Sequence, residues 1–174
     1  MTTRRWRALR CLSLVLPLLV ASLLAGCGPR TSGTKLAPPV VPEKADFRAP
    51  EAAVRTYLDY TSFAYRMANS DLASRAATPY EGVRVDSYVE LNRQQDQGIE
   101  QQLVKFTKRS ESEEGTRALF AASEEWRYRY FSLSKSEYTS PMYTASYEAT
   151  YTLVRDAAGW LVDKVDARPL APVK

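Results

Sequence analysis

The stretch Met142–Arg155 reads MYTASYEATYTLVR, and its pattern decides the fold class. From Tyr143 to Leu153 every second residue is Tyr, Ala or Leu, while the residues between them are Thr, Ser or Glu. Side chains of a β-strand point alternately to its two faces, so this period of two predicts an antiparallel strand with one buried face. The polar Asp156–Gly159 segment predicts a hairpin turn, and Trp160–Ala167 predicts the returning last strand.

Two further strands are predicted before this hairpin. The period changes to two over Leu103–Arg109, and Ser110–Glu114 predicts a polar turn. Thr116–Leu133 predicts the next strand. Its alternation places Trp126, Tyr128 and Tyr130 on one face and Arg127 and Arg129 on the other.

The residues before the strands predict helices. Pro50 suits the first turn of a helix, and the apolar residues after it recur at helical spacing. We expect a short second helix over Asp71–Ala77 and a loop over Thr78–Gly82. Ser87–Glu90 reads SYVE, which is a capping box, so it predicts the start of a helix that ends near Gln102.

The N-terminal residues predict export. Basic residues precede an uncharged apolar run over residues 11–25, which is too short to span a bilayer comfortably and suits a signal peptide. Leu24–Cys27 reads LAGC and resembles the bacterial lipobox. The resemblance implies cleavage between Gly26 and Cys27, with diacylglyceryl attached to the Cys27 thiol. The anchored protein would then lie in the cell membrane or the outer membrane and face the extracytoplasmic side.

The domain organisation follows from these patterns. We expect a lipoprotein signal peptide over 1–26 and a lipidated Cys27 with a Pro-rich tether through 49. A folded domain is expected over 50–168, and a tail over 169–174. Acyl chains on Cys27 would bind membrane lipid stably, since each buried methylene contributes about 0.8 kcal/mol.

Charge and composition exclude several functions. The chain has 24 Lys and Arg against 20 Asp and Glu, but the predicted signal holds four arginines and no acidic residue. The mature chain is therefore neutral and lacks the basic surface that nucleic acid selects. His is absent from the sequence, which removes the commonest general base and zinc ligand. We expect no cofactor, no metal and no nucleic-acid partner.

Helices followed by long antiparallel strands predict an α+β domain. Tyr147–Val154 followed by Gly159–Asp163 resembles the terminal hairpin of NTF2-like domains, in which N-terminal helices pack into the concavity of a curved sheet. With Trp126-Arg127-Tyr128 before this hairpin, the chain is similar to a domain of plastid-division and cyanobacterial proteins. That domain faces the intermembrane space or periplasm. The resemblance implies a cone with an internal pocket.

The absence of histidine from the sequence favours a binding function over a catalytic one. We expect a non-catalytic binding or protein-interaction domain whose partner is an envelope protein or a small apolar ligand. The candidate pocket or interface residues are Trp126, Tyr128, Tyr130, Tyr147, Tyr151 and Trp160. The alternative is a small-pocket enzyme of isomerase or dehydratase type acting on an apolar substrate, as the resemblance allows. An isomerase site would need a buried carboxylate facing a Tyr donor.

The candidate carboxylate for such a site is Asp163, although it lies opposite Trp160 and Val162 and is predicted to be solvated. Asp59 and Asp71 are expected at helix faces or ends. A cluster of glutamates lies at predicted turns and strand edges: Glu111, Glu113, Glu114, Glu124 and Glu125. Since no regular calcium loop surrounds them, we expect solvated carboxylates there. Arg127 and Arg129 are expected to point outward, away from the aromatic face.

Cys27→Ala is expected to abolish labelling of the protein by an alkyne analogue of palmitate, because the lipid is attached through this thiol. In-gel fluorescence after metabolic labelling measures the effect. Cys11→Ala, within the predicted signal, is the matched control and keeps the label. Unlabelled chains of precursor mass for both the natural sequence and the Cys27 variant would refute the lipoprotein interpretation.

Overall fold

The structure is a computed structural model that describes residues 34–42 and 44–170. The predicted signal peptide, the cleavage at Gly26 and the lipidation of Cys27 lie outside the described residues. Within those residues, no helix is both long enough and apolar enough to cross a bilayer.

Two α-helices precede five antiparallel strands in the described part of the chain. The helices are α1 (Pro50–Met67) and α2 (Pro79–Gln94), separated by a 3₁₀ turn at Ala73–Arg75. The strands are β1 (Gln97–Glu114), β2 (Arg117–Ser132), β3 (Glu137–Tyr138), β4 (Tyr143–Arg155) and β5 (Trp160–Pro169). The predictions of a helix after Pro50 and of the β4–β5 hairpin are confirmed.

The strands form one curved sheet in the order β1-β2-β4-β5, and the short β3 pairs with the end of β2. The register of β1 shifts between Leu103 and Lys105 and again between Lys108 and Ser110, and a third shift interrupts the β4–β5 pairing. Bulges bend a strand and increase its local twist, so these shifts curve the sheet. Both helices pack on the same face of the sheet. The predicted α+β architecture is confirmed.

The buried core lies between the helices and the sheet. Along β2 the even-numbered residues from Ala118 to Trp126 are buried, and along β4 the odd-numbered residues from Ala149 to Leu153 are buried. The core side of α1 includes Val54, Tyr57 and Leu58. Each large apolar side chain removed from water in this way stabilises the fold by about 1.5–3 kcal/mol.

Helix α2 differs at both ends from the helix that the sequence predicts to begin at Ser87. It begins at Pro79, inside the predicted loop, and Ser87 lies in its middle, where the hydroxyl donates to the Val83 carbonyl at 2.7 Å. The helix ends at Gln94, and β1 begins at Gln97, within the predicted helix. The capping-box prediction was therefore wrong, because Pro79 already provides a favourable first turn.

Long-range contacts explain the early start of β1. Asp96 has a φ of +54°, and its carboxylate accepts hydrogen bonds from the Ser132 hydroxyl at 2.6 Å and from the Ser134 backbone N–H at 2.8 Å. Two residues later Gly98 lies against the Phe131 ring. These partners lie far along the chain, so local spacing could not indicate them.

The β1–β2 turn also differs from its prediction. Ser110–Glu114 is strand, and Glu114 pairs with Arg117. The chain reverses at Gly115, whose φ of +60° is a left-handed conformation that glycine adopts without steric cost. The predicted helix over Asp71–Ala77 is reduced to the 3₁₀ turn, and β3 was not predicted.

Residues before α1, which the sequence predicts as tether, contact the domain. Arg66 Nη2 donates to the Ala37 carbonyl at 2.6 Å, and the Trp160 backbone N–H donates to the Phe47 carbonyl at 2.8 Å. Phe47 also packs against the core cluster. In the described part of the chain, ordered contacts therefore begin before Pro50.

Gly98→Ala is expected to destabilise the domain by about 1–3 kcal/mol, as overpacking does. A Cβ at position 98 would lie 2.1 Å from an atom of the buried Phe131 ring. Gly82→Ala is the matched control. Apart from the adjacent residues and the backbone of its own helix, no atom of the described residues lies within 4 Å of a Cβ added at position 82. Because Ala is favoured over Gly inside a helix, this variant should stabilise the domain by about 0.5–1 kcal/mol. Urea unfolding measures both, and equal shifts for the two variants would contradict this packing.

Candidate functional site

A cavity of about 310 Å³ opens between the two helices and the concave face of the sheet. This volume is near the lower end of the range of about 300–1,000 Å³ for small-molecule sites. The lining residues come from both helices and four strands: Tyr57, Leu58, Thr61, Tyr65, Arg84, Tyr88, Ile99, Gln101, Glu124, Trp126, Tyr128, Tyr130, Tyr147, Tyr151, Val165 and Ala167. The concave face of the sheet is therefore open to this cavity, and eight of the sixteen lining residues are aromatic.

Glu124 supplies a carboxylate to this cavity. Its residue surface is only 4% exposed, and it lies on the buried face of β2 next to Trp126. One carboxylate oxygen accepts a hydrogen bond from the Tyr151 hydroxyl, and the other accepts one from Trp126 Nε1 at 2.8 Å. Burial raises the pKa of Glu124, and the two hydrogen bonds act in the opposite direction.

The partner tyrosine is held as a hydrogen-bond donor. Tyr151 is 1% exposed, and burial, together with the neighbouring Glu124 carboxylate, raises its pKa well above the ordinary value. Its ring makes an edge-to-face contact with Tyr57, with 6.4 Å between the ring centroids. The hydroxyl therefore keeps its proton at neutral pH, and the ring is fixed by packing.

A second buried carboxylate belongs to Glu81 of α2, which is fully buried. Its Oε1 accepts from the Tyr57 hydroxyl at 2.5 Å, and its Oε2 lies 3.2 Å from Arg84 Nε. Burial raises the pKa of Glu81, and the Tyr57 and Arg84 contacts oppose that shift. Arg84 also donates to the Val165 carbonyl at 2.8 Å, so its guanidinium is already engaged where it borders the cavity.

Tyrosine rings pack against one another around the cavity. Tyr128 lies 5.5 Å from Tyr143 and 5.8 Å from Tyr130, measured between ring centroids. Tyr65 and Tyr88 make an edge-to-face pair at 5.2 Å. Aromatic pairs of this kind contribute about 0.5–1.5 kcal/mol beyond their burial. The contacts therefore restrict the rings to a preformed wall.

The structure brings together most of the side chains that the sequence singles out. Five of the six candidate residues line the cavity: Trp126, Tyr128, Tyr130, Tyr147 and Tyr151. Trp160 does not line it and is buried in the core cluster. Asp163, the candidate carboxylate of an isomerase site, is half-buried outside the lining and accepts a hydrogen bond from the Thr78 hydroxyl at 2.8 Å.

The prediction for the glutamates was wrong for Glu124. We expected it to be solvated, yet it is buried and faces the cavity. The sequence alternation indicates the burial of Glu124, because Glu124 lies on the same face of β2 as Phe120, Ala122 and Trp126. Its neighbour Glu125 lies on the opposite face, is exposed, and forms an ion pair with Lys105 at 3.4 Å.

The other charged candidates lie outside this cavity. Arg127 is exposed, while Arg129 donates to Glu100 at 2.6 Å and lies over the Tyr138 ring.

Asp59 borders a second cavity of about 480 Å³, which lies between α1, β1 and the Ala37–Pro42 segment. Although this second cavity is larger, we place the candidate site in the cone, because the second cavity has one aromatic side chain and its Glu100 is engaged by arginines. Residues 34–42 and 44–170 contain no cluster of three potential metal ligands.

Comparison with known proteins identifies the fold but no family. The sequence matches no family model and no curated protein. The intermembrane space region of the chloroplast protein ARC6 is 18% identical, with coverage of 73% of this chain and 99% of that one and a TM-score of 0.57. A protein assigned as an aromatic ring hydroxylase from Novosphingobium aromaticivorans is 12% identical, with coverage of 70% and 90% and a TM-score of 0.50.

A protein assigned as a dehydratase of the NTF2-like family from Streptomyces avermitilis is 16% identical over 71% of this chain and 100% of that one, with a TM-score of 0.46. At these identities the likeness concerns the fold alone. The described domain has the predicted architecture of two helices packed on a curved antiparallel sheet, and its structural neighbours include a region of a chloroplast protein and a protein assigned as an enzyme.

The raised pKa of Glu124 predicts a pH dependence of stability. Because the native state holds this proton more tightly than the unfolded state, the contribution of Glu124 is complete below the unfolded pKa of 4.5. It is lost as the pH rises through the folded pKa. In urea unfolding between about pH 4 and 8, the wild-type protein should therefore lose stability relative to Glu124→Gln as the pH rises.

Glu125→Gln is the control for this measurement, since Glu125 is exposed. The stability difference between the wild type and Glu124→Gln should change with pH by more than the difference between the wild type and Glu125→Gln. A pH-independent difference for Glu124→Gln would show that the Glu124 pKa is not raised by folding.

Proposed function

We propose that this protein is a lipid-anchored protein of the bacterial cell envelope whose NTF2-like domain binds a small, largely apolar molecule without converting it. The observation that carries the proposal is the open cavity of about 310 Å³ between the helices and the sheet. A fold that served only as a spacer would gain stability by filling this space, because interiors are otherwise closely packed.

The lining of the cavity supports ligand binding. Small-molecule sites combine an apolar or aromatic wall with a few polar groups that fix the orientation of the ligand. Here half of the lining residues are tyrosines and Trp126, while Glu124 and Gln101 supply polar atoms. Gln101 is itself held by the Ser62 hydroxyl at 3.0 Å. The polar groups are thus oriented before a ligand arrives, which lowers the entropy lost on binding.

The anchoring part of the proposal comes from the sequence. Leu24–Cys27 follows an uncharged apolar run and a basic N-terminal segment, as the lipobox of an exported protein does. A lipid on Cys27 would hold the binding domain at the extracytoplasmic surface of the cell membrane or the outer membrane. An envelope protein that delivers or receives the small molecule is a compatible partner.

A second candidate function is favoured by one specific observation, the Glu124 carboxylate buried beside the Tyr151 hydroxyl. A carboxyl group with a raised pKa inside an apolar site suits general acid–base catalysis, and a protonated Tyr can stabilise developing negative charge on a carbonyl oxygen. The second candidate is therefore an enzyme that moves a proton next to the carbonyl group of an apolar substrate, with Glu124 as the base.

Binding to the cavity is expected to shift the Trp126 indole N–H resonance. Benzyl alcohol, added to ¹⁵N-labelled full-length protein in dodecyl maltoside, should move this signal because Trp126 lines the cavity. The Trp160 indole signal is the internal control, since Trp160 is buried away from the lining. Ala167→Trp should block the shift by filling the cavity, whereas Ala157→Trp, at an exposed turn, should preserve it.

Absence of a saturable shift at Trp126, or an equal shift at Trp160, would refute binding in the cone. The same preparation decides between the two candidate functions. If cyclohexanone in D₂O exchanges the hydrogens next to its carbonyl faster with the wild type than with Glu124→Gln, the enzyme is supported. Equal exchange rates would leave binding as the function.

A further inference from the structure

We propose that the cavity in the cone binds an organic ammonium ion, either a protonated amine or a quaternary ammonium group, with Glu124 as its counter-ion. This inference rests on the proposed binding function and specifies its ligand class. It follows from the partners of Glu124, the character of the wall and the distribution of charge around the cavity.

Glu124 is a buried carboxylate without an ion-pair partner in the described part of the chain. Its oxygens accept from two neutral donors, the Tyr151 hydroxyl and Trp126 Nε1. Acidic residues are almost never fully buried unless they are paired. Both oxygens accept hydrogen bonds, which stabilises the ionised form against the burial that raises the pKa of this carboxyl group, and a cation in the cavity would stabilise the ionised form further. The cavity therefore presents one half of an ion pair whose cation is not supplied by the described residues.

The wall of the cavity suits a cation with apolar substituents. The faces of Trp and Tyr rings attract a cation within about 6 Å, and quaternary ammonium groups are recognised in this way. Four arginines and one lysine of the described residues lie over aromatic rings, including Arg55 over Phe106 and Arg66 over Phe131. Among the described residues, none of these cation–π contacts involves a ring that lines the cavity. The cavity rings are thus available to a ligand.

The cationic side chain in the lining does not reverse this preference. Arg84 lies 3.2 Å from the fully buried Glu81 carboxylate and donates to the Val165 carbonyl. Its charge is therefore balanced within α2, and its side chain is about half exposed. The titratable or charged groups that line the cavity come from four elements: Tyr57 and Tyr65 of α1, Arg84 and Tyr88 of α2, Glu124, Tyr128 and Tyr130 of β2, and Tyr147 and Tyr151 of β4. With Arg84 balanced by Glu81, Glu124 determines the sign of the ligand charge.

The size of the cavity limits the ligand to a small ammonium compound or to the head group of a larger molecule. A free solute and a lipid head group both present this chemistry. Choline and glycerophosphocholine represent these two sources, because they share the same trimethylammonium group. Preferential binding of choline would identify a free solute, and preferential binding of glycerophosphocholine would identify a lipid head group. Either result supports ammonium binding.

The test compares choline with 3,3-dimethylbutan-1-ol, a neutral molecule of nearly the same shape. In isothermal titration calorimetry of the full-length protein in dodecyl maltoside, choline is expected to bind at least about tenfold more tightly than the neutral molecule. Glu124→Gln should remove this preference and leave the affinity for the neutral molecule within about twofold. Glu125→Gln, the exposed neighbour, should leave both affinities unchanged. Choline affinity should rise with pH as Glu124 ionises, whereas binding of the neutral molecule should not.

Equal or tighter binding of 3,3-dimethylbutan-1-ol would overturn the ammonium inference, as would a choline preference that survives Glu124→Gln. The proposed function would stand in either case, because a molecule would still bind in the cavity. Failure of both compounds, together with no benzyl alcohol shift at Trp126, would refute the proposed function as well. If Glu124→Gln does not fold, Tyr128→Leu at the half-buried wall provides the second test. It should weaken choline more than the neutral molecule, and equal weakening would contradict the inference.

Discussion

The burial of one carboxylate, Glu124, between the Tyr151 hydroxyl and the Trp126 indole is the constraint on which this site depends. An ionisable group inside a protein needs hydrogen-bond partners, because an unpartnered buried charge is too costly. The antiparallel pairing of β2 with β4 meets this need, since it places Glu124 opposite Tyr147 and within reach of Tyr151. The same pairing aligns Tyr128 with Tyr143, so the sheet that holds the carboxylate also builds the aromatic wall beside it.

The curvature of the sheet turns this arrangement into a cavity. Register shifts in β1 and between β4 and β5 bend the strands, and the cavity lies between the helices and the resulting concavity. Core packing is closed near Phe120, Leu153 and Trp160, which are all less than 2% exposed. The space beside Glu124 stays open. The fold thus combines a closely packed core with a buried carboxylate that faces a cavity.

Much of this architecture could be predicted from local sequence patterns. The alternation over Met142–Arg155 and the helical spacing after Pro50 correctly indicate β4 and α1, because each pattern reflects one buried face. The same alternation singles out Tyr147 and Tyr151 as inward-facing residues. These elements depend on burial against a neighbour, and their periodicity is visible without knowing which neighbour it is.

The remaining features depend on contacts between distant segments. Strand β1 begins at Gln97, before the predicted helix would end, because Gly98 lies against the Phe131 ring. The Asp96 carboxylate also accepts hydrogen bonds from Ser132 and Ser134. The absence of a regular calcium loop predicts a solvated Glu124, although its position on β2 places it on the same face as Trp126. Its donor Tyr151 lies 27 residues away on another strand, so no local pattern indicated that a buried carboxylate would be satisfied there.

The most direct measurement of the central claim is a ¹³C NMR titration of the Glu124 carboxyl carbon in the wild-type protein and in Tyr151→Phe. The structure predicts a pKa above the ordinary value of 4.5 in the wild type, because burial outweighs the two hydrogen bonds. It predicts a further rise in Tyr151→Phe, because the variant loses a bond that stabilises the ionised form. An ordinary Glu124 pKa that does not respond to removal of the Tyr151 hydroxyl would contradict the account.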